Sequence, residues 1–530
     1  MYDLLIRNGT VIDGSGTPMH RADIAVKEEK IVAIGDLKSE TAERTINADG
    51  LYVTPGFIDV NNHSDTYWAM FRSPGLQGML MQGVTTIIGG NSGASLAPLT
   101  DPSVIRSIQK WTDVEKINFN WLTMAEFLKE VEMKQLALNF ATLVGHGTLR
   151  RGVMKAPTKQ LAPGDLDAME KLLKDALSQG AIGFSTGLKY THARSAEKEE
   201  LVALLSLVGK NNGVYATYMR DEGEYLLQAV EEAITTAQEA GIPLHISHLK
   251  AVGEKNWHLF EEALASIKTA SLNGLDISFD VYPYTASGSV LYTFLPEWVT
   301  ESGRQAMLYR LRDFKTRQAV IRDMKSSGYD FSQMTLSAST LNKVMTRTTI
   351  GTIAKAQGQS PEDTVIDVLL ASAGRSIVSL EVSSPENVMK AVQHPFSIIS
   401  SNGVGYDKEH MATGDLVHPR SFGTFPKVFA EYVRLRQAIS WEEAIHKMTG
   451  KPAAKFFIRD RGLLREQYKA DMVIFDPETV APRSTMDNPY EYPEGIEFVV
   501  VNGTVAVEGG SWNGSRKGQV IRKKSKFRLW

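Results

Sequence analysis

Residues 213–250 read GVYATYMRDEGEYLLQAVEEAITTAQEAGIPLHISHLK, and this stretch decides the fold. A short apolar run ends in the polar residues around Arg220. The segment YLLQAVEEAITTAQEAG then carries apolar residues at i, i+3, i+4 and i+7 and closes on Gly241, the pattern of an amphipathic helix with a glycine stop. A second apolar run follows and ends in His248 and Lys250. Buried strand, helix, buried strand is one βαβ unit. The same order recurs at 57–63 FIDVNNH, 84–91 VTTIIGGN, 137–147 ALNFATLVGHG, 181–188 AIGFSTGL, 276–284 DISFDVYPY and 394–403 HPFSIISSNG. Eight such strands predict an α/β fold, a (β/α)8 TIM-type barrel.

The two ends of the chain read differently. Residues 1–55 and 455–515 consist of short strands and turns, with Asn8-Gly9 and Asn502-Gly503 each lying between apolar runs as hairpin signals. They are expected to pair into one small composite β domain around a barrel at 56–454. The stretch between the seventh and eighth strands is too long for one crossover. Residues 297–375 are expected to form a helical insertion, with Ser360 as N-cap and Pro361 in the first helical position. The last fifteen residues, 516–530, hold seven basic residues and no acid and read as a solvated, frayed basic tail.

Composition narrows the function classes. Of 530 residues, 43% are hydrophobic and 22% charged, and 58 Lys+Arg against 61 Asp+Glu leave a net charge of −3. That balance carries no footprint of a nucleic-acid or membrane partner. The absence of cysteine excludes disulfides and thiol catalysis, and no signal-peptide pattern opens the chain, so a cytoplasmic location is expected.

In a barrel of this kind chemistry sits where strands end. Those ends offer Asn61, His63, Ser92, His146, Tyr190, Tyr218, Arg220, His248, Lys250, Tyr282 and Asn402. No H-x-H, H-E-x-x-H or similar metal spacing appears. Arg220, Lys250 and Arg420 are cations at half-buried positions and call for an anionic partner. A substrate carboxylate and an internal ion pair with Asp221, Glu222 or Asp280 are both open.

The motifs PGFIDVNNHSD, GVTTIIGGNSGASLAP, VGHGTLR, GFSTGLKY, YATYMRDEG, SHLKAVGEKNW, DVYPYTASGSVL, ISSNGVGYD and HPRSFGTFPKVFAEYVR run nearly end to end. Together they resemble the N-acyl-D-amino-acid deacylases of the amidohydrolase superfamily. The resemblance implies a distorted barrel plus a small β domain, and an N-acyl-amino-acid-like substrate bearing a carboxylate and an acyl or amide group. Tyr190, Lys250, Arg420, Tyr282 and His146 of the GHGTLR loop are the positions it assigns to substrate binding, and Arg220 joins them as a half-buried cation. The metal positions depart from the family pattern: Asn61 replaces the first His of an H-x-H pair, Ser92 a Cys, Tyr218 a His and Asn402 the catalytic Asp. Only His63 and His248 remain. No cofactor is therefore expected, and zinc only if the substituted positions still bind it. Three readings stay open: an enzyme acting on an amide or acyl bond without metal, by hydrolysis or cyclisation; a pseudoenzyme that binds a carboxylate ligand or partner; and a zinc deacylase with a degenerate or engineered site. For the first, Ser92 and His248 inherit converging positions, a nucleophile–base pair. Tyr218 or Asn402 would donate to an oxyanion, and Lys250 would be an alternative base if burial lowers its pKa, with His63 a further catalytic candidate.

Overall fold

The structure is a computed structural model that describes residues 1–108, 119–154, 160–190, 192–300, 303–339 and 346–523. Eight parallel strands form the central sheet: Phe57–Asp59, Val84–Gly89, Asn139–Gly145, Gly183–Gly187, Val214–Tyr218, Leu244–Ile246, Ile277–Val281 and Ser397–Ile399. Each coincides with one of the eight apolar runs. Just beyond the strand ends, Asn62 and Gly403 form a parallel bridge that joins the first strand to the eighth. Across that seam the buried Asp59 carboxylate accepts from Ser401 N at 2.9 Å.

The helices pack as their periodicity dictates. In Leu226–Ala240 the buried residues Leu226, Ala229, Val230, Ala233, Ile234 and Ala237 repeat at three and four. In Lys198–Lys210, Leu201, Leu204, Leu205 and Val208 are at most 1% exposed, each burial contributing about 1.5–3 kcal/mol. Gly241, at φ +62°, ends the first of these in the left-handed conformation that glycine adopts without Cβ strain. Ile58, Val60, Ile88, Leu143, Val214 and Ile398 belong to one buried apolar cluster of the barrel strands.

Both termini enter one nine-stranded sheet, in which Tyr52–Pro55 pairs antiparallel with Met472–Phe475. The two Asn-Gly signals behave differently. Asn502-Gly503 turns the hairpin between Ile496–Val501 and Thr504–Glu508. Asn8-Gly9 does not turn: Tyr2–Val11 runs straight through it, with a register shift between Ile6 and Gly9. Asp23 Oδ1 accepts Asn8 N at 2.8 Å there, and a Cβ on Gly9 would lie 2.5 Å from Val53 Cγ2, so the pair makes a bulge against a neighbouring strand.

The insertion corrects the helical expectation. It contains a three-stranded antiparallel sheet of Ala286–Val290, Thr335–Ser339 and Ser376–Glu381, and so reaches beyond 297–375 on both sides. Small polar residues in ASGSV and TLSAS hide these strands from a hydrophobicity reading. Ser360 does cap Pro361–Ala371, accepting from Asp363 N at 3.1 Å. The tail is also corrected where it is described. Gln519 O accepts Phe140 N at 2.9 Å, Ile521 N donates to Phe140 O at 2.7 Å, and Arg522 pairs with Glu132, so residues 518–523 dock on the barrel. Residues 524–530 lie outside the described residues.

Candidate active site

A cavity opens at the strand ends, lined by His63, Ser92, Tyr218, His248, Asn402 and Arg420, with Tyr190, Glu222, Lys250 and the insertion residues Ser287, Ser289 and Tyr329 around them. Three of these residues leave their strands in the left-handed region: Ser92 at φ +54°, His248 at +39° and Asn402 at +46°. Such angles are costly for residues with a Cβ and cluster at functional sites. Here they turn the chain immediately after the second, sixth and eighth strands, at the rim of the cavity.

The polar groups divide into three sets. On the first–eighth strand seam, His63 Nε2 lies 2.8 Å from Asn402 Oδ1, and Asn61 Nδ2 donates to both oxygens of Asp280 at 3.3 Å. Asp280 also meets His245 Nε2 at 3.0 Å and Ser400 Oγ at 2.5 Å. Asn61 is therefore committed to a buried brace beneath the mouth.

On the fifth–sixth strand side, Glu222 Oε1 lies 3.0 Å from His248 Nδ1 and 2.6 Å from Lys250 Nζ. Lys250 Nζ further reaches His248 O at 2.8 Å and His248 Nδ1 at 3.0 Å. Burial opposes ionisation of Glu222, but the Lys250 ammonium and His248 outweigh it and hold its carboxyl down to about 2. Burial, and then Lys250, pushes the His248 imidazolium down, favouring the neutral ring. Lys250 goes the other way: burial would lower it, yet Glu222 raises it above its ordinary value. Lys250 is thus a cation, not the lowered-pKa base expected from burial alone. Burial and the nearby Glu222 raise the Tyr218 hydroxyl well above its usual range, so it stays a donor. Its ring stands edge-on to His248 with centroids 4.5 Å apart.

The third set is Arg420, 9% exposed, with its guanidinium 5.0 Å from the Tyr282 ring centroid. Its Nη1 is buried without a hydrogen-bond partner, as is the Tyr282 hydroxyl. No ion pair joins Arg420 to an acid among the described residues. The insertion strand Ala286–Val290 lies beside it, and a Cβ on Gly288 would come 4.0 Å from Nη2.

Other expected site residues lie elsewhere or act differently. His146 is fully buried away from the cavity, with Nε2 2.7 Å from Glu200 Oε1, and Arg150 binds the other oxygen of Glu200. Arg220 pairs with Glu232 at 2.6 Å and donates to Ala196 O at 3.2 Å, so it is structural. Ser92 and His248 share the cavity, but no hydrogen bond joins them among the described residues, and Nδ1 of the ring faces Glu222 and Lys250 instead. Tyr190 lines the cavity, edge-on to Tyr218 at 5.5 Å, and burial pushes its hydroxyl up to about 12. Sequence reading passed over Glu222 as a site residue and missed Ser287 and Ser289. No hydrophobic alternation in ASGSV marked the latter two as part of a strand.

Residues 44–507 match the amidohydrolase family. The chain is 33% identical to the D-aminoacylase of Alcaligenes xylosoxydans xylosoxydans over 522 residues, 98% of each chain, and 32% identical to the N-acyl-D-glutamate deacylase of the same organism, covering 98% of this chain and 96% of that one. Among solved structures, N-acyl-D-glutamate deacylase from Bordetella bronchiseptica, complexed with zinc and a phosphonate inhibitor, is similar at TM-score 0.83 and 28% identity, covering 98% of this chain and 99% of that one. A D-aminoacylase crystal structure matches at TM-score 0.83 and 32% identity, covering 98% of this chain and all of that one. The barrel with a polar, strand-end cavity is that of an amidohydrolase. This chain belongs to the amidohydrolase family.

The solved deacylase holds zinc, and the residues at the corresponding mouth here do not fit that ion. Zinc takes imidazole, thiolate or carboxylate donors. Of the six positions, Ser92 offers a neutral hydroxyl and Tyr218 a strongly protonated one. Asn61 and Asn402 offer amides, already engaged by Asp280 and His63. Two imidazoles remain, fewer than the three or more strong donors a zinc site takes.

Proposed function

We propose that the protein takes an N-acylated amino acid, holds its carboxylate at Arg420 and Lys250, and acts on the amide or acyl bond without catalytic zinc. The observation that carries this reading is Arg420: a buried guanidinium with an unpartnered Nη1 beside the cavity, which an anion would satisfy. The kinship with D-aminoacylase and N-acyl-D-glutamate deacylase supports the substrate class. The neutral donor set supports metal independence.

In this reading Tyr218 donates to the oxyanion, the amide edge of Asn402 faces it from the eighth strand, and His248 serves as base. Stabilisation by fixed donors of this kind is worth about two to three powers of ten in rate. Ser92 is either the nucleophile or the group that orients a water molecule.

The test uses a panel of N-acyl-D- and N-acyl-L-amino acids, assayed for binding and for release or cyclisation of product, with and without a chelator. Protein purified without added zinc should hold well under one zinc per chain. Chelation should leave turnover and Tm unchanged, since a metal bound only by the folded state would stabilise it. Stoichiometric zinc lost together with activity would restore the zinc-deacylase reading. The unbonded Ser92 hydroxyl favours a second reading, binding without turnover; carboxylate binding with no product from any member of the panel would establish it.

A further inference from the structure

The ring of His248 has two nitrogens in opposite surroundings. Nδ1 faces Glu222 Oε1 at 3.0 Å and Lys250 Nζ at 3.0 Å, while Nε2 has no protein partner among the described residues and His248 lines the cavity. A carboxylate only accepts and an ammonium only donates. Which of the two Nδ1 engages therefore decides the tautomer and the character of Nε2.

The hydrogen-bond ledger separates the two arrangements. If Nδ1 accepted from Lys250, its lone pair would face a buried carboxylate oxygen 3.0 Å away, with no hydrogen between them. Glu222 would then keep only Lys250 as a side-chain donor. If Nδ1 carries the hydrogen, Glu222 receives two donors. Lys250 still donates to Glu222 at 2.6 Å and to His248 O at 2.8 Å, and its third N–H is left for the cavity it lines. Only this arrangement leaves no lone pairs opposed, and it frees one Lys250 donor for an incoming anion.

We infer that Glu222 is a positioning residue that fixes His248 as the Nδ1–H tautomer and thereby presents Nε2 to the cavity as the proton acceptor of this site. The inference deepens the proposed function and rests on its reading of the cavity as an amide-cleaving site. In hydrolysis, Nε2 takes the proton from the attacking water as its oxygen bonds to the acyl carbon. The C–N bond then breaks, and the same proton passes from Nε2 to the departing nitrogen. One water is consumed, and the imidazole returns to its starting state. Orientation of a base by a buried carboxylate is the arrangement whose loss to an amide costs about 10⁴ in kcat in a serine protease.

The experiment reads the tautomer without substrate. Long-range proton–nitrogen correlation spectra of protein labelled with nitrogen-15 histidine should contain one ring with a protonated Nδ1 and an unprotonated Nε2, assigned by its disappearance in His248→Gln. A protonated Nε2 on that ring overturns the inference, whatever the substrate proves to be. In kinetics, Glu222→Gln should lower kcat at least a hundredfold with KM changed less than threefold, and its His248 signals should move toward the other tautomer. A Glu222→Gln protein that is folded, retains kcat and keeps the wild-type tautomer equally overturns it. If that variant does not fold, the wild-type spectrum alone decides. Failure of the amide-cleavage reading is separate: no product from any substrate, with the His248 tautomer as inferred.

Discussion

Two arcs of the barrel mouth treat their cations in opposite ways. On the arc of the third to fifth strands every cation named here meets an acid of the protein: Arg150 with Glu200, Arg220 with Glu232, Lys189 with Asp221 at 3.0 Å. Two of the acids come from helices that follow those strands, and Asp221 from the loop after the fifth. Glu200 lies in the first turn of Lys198–Lys210, and Glu232 lies in Leu226–Ala240. On the opposite arc Arg420 opens the helix Arg420–Lys427 and faces an insertion strand whose residues are Ser, Gly and Ser. No acid pairs with it among the described residues. The difference teaches that a buried cation marks a ligand site only where the surrounding elements withhold a counter-charge.

The contrast breaks first at Glu200. Glu200→Ala leaves the fully buried Arg150 and His146 without their carboxylate. Losing one partner of such a buried pair costs about 3–5 kcal/mol, read as a lower denaturation midpoint at unchanged slope. Arg220→Ala, which removes several charge-assisted bonds from a partly buried site, should cost about 1.5–3 kcal/mol of stability and leave ligand affinity within twofold.

Arg420→Ala is the converse. Affinity for the carboxylate ligand should fall ten- to hundredfold, following about 1.5–3 kcal/mol for a charge-assisted bond, while the unfolding midpoint stays or rises. Titration calorimetry with the best member of the acyl-amino-acid panel, beside chemical denaturation, checks both. If Arg220→Ala loses affinity and Arg420→Ala does not, the assignment of the two arcs is reversed. The smallest effect belongs to the strained rim. Ser92→Gly removes a Cβ at φ +54° and should raise stability by up to about 1 kcal/mol while impairing turnover. A stability loss there would show that the Ser92 side chain is held by contacts worth more than the strain.

Much of the fold was legible because its signals are local. Each barrel strand is a short apolar run, and each helix between them repeats at three and four, so eight units were countable. The insertion sheet was illegible because ASGSV and TLSAS pack on neighbours without a hydrophobic alternation of their own. Asn-Gly shows how thin a local signal is. Both asparagines take positive φ, but Gly503 does so too while Gly9 does not, and the strand lying beside each pair accompanies the choice between hairpin and bulge. At the site, the sequence supplied the candidates Ser92, Tyr218, His248, Lys250, Arg420 and Asn402, all of which line one cavity. It misplaced His146 and Arg220, whose acids lie 54 and 12 residues further along the chain.

The sequence by itself determined the barrel and the strand ends that carry polar side chains. These are properties of residue identity and periodicity, and they do not depend on neighbours distant in the chain. Tertiary structure alone decided which charges cancel. It brought Glu222 to His248 Nδ1 and Lys250, fixed Lys250 as a cation rather than the alternative base, and left Arg420 Nη1 without a partner. Electrostatic pairing falls off within a few ångströms and is settled by which loops meet at the mouth, a geometry that no stretch of the chain encodes alone.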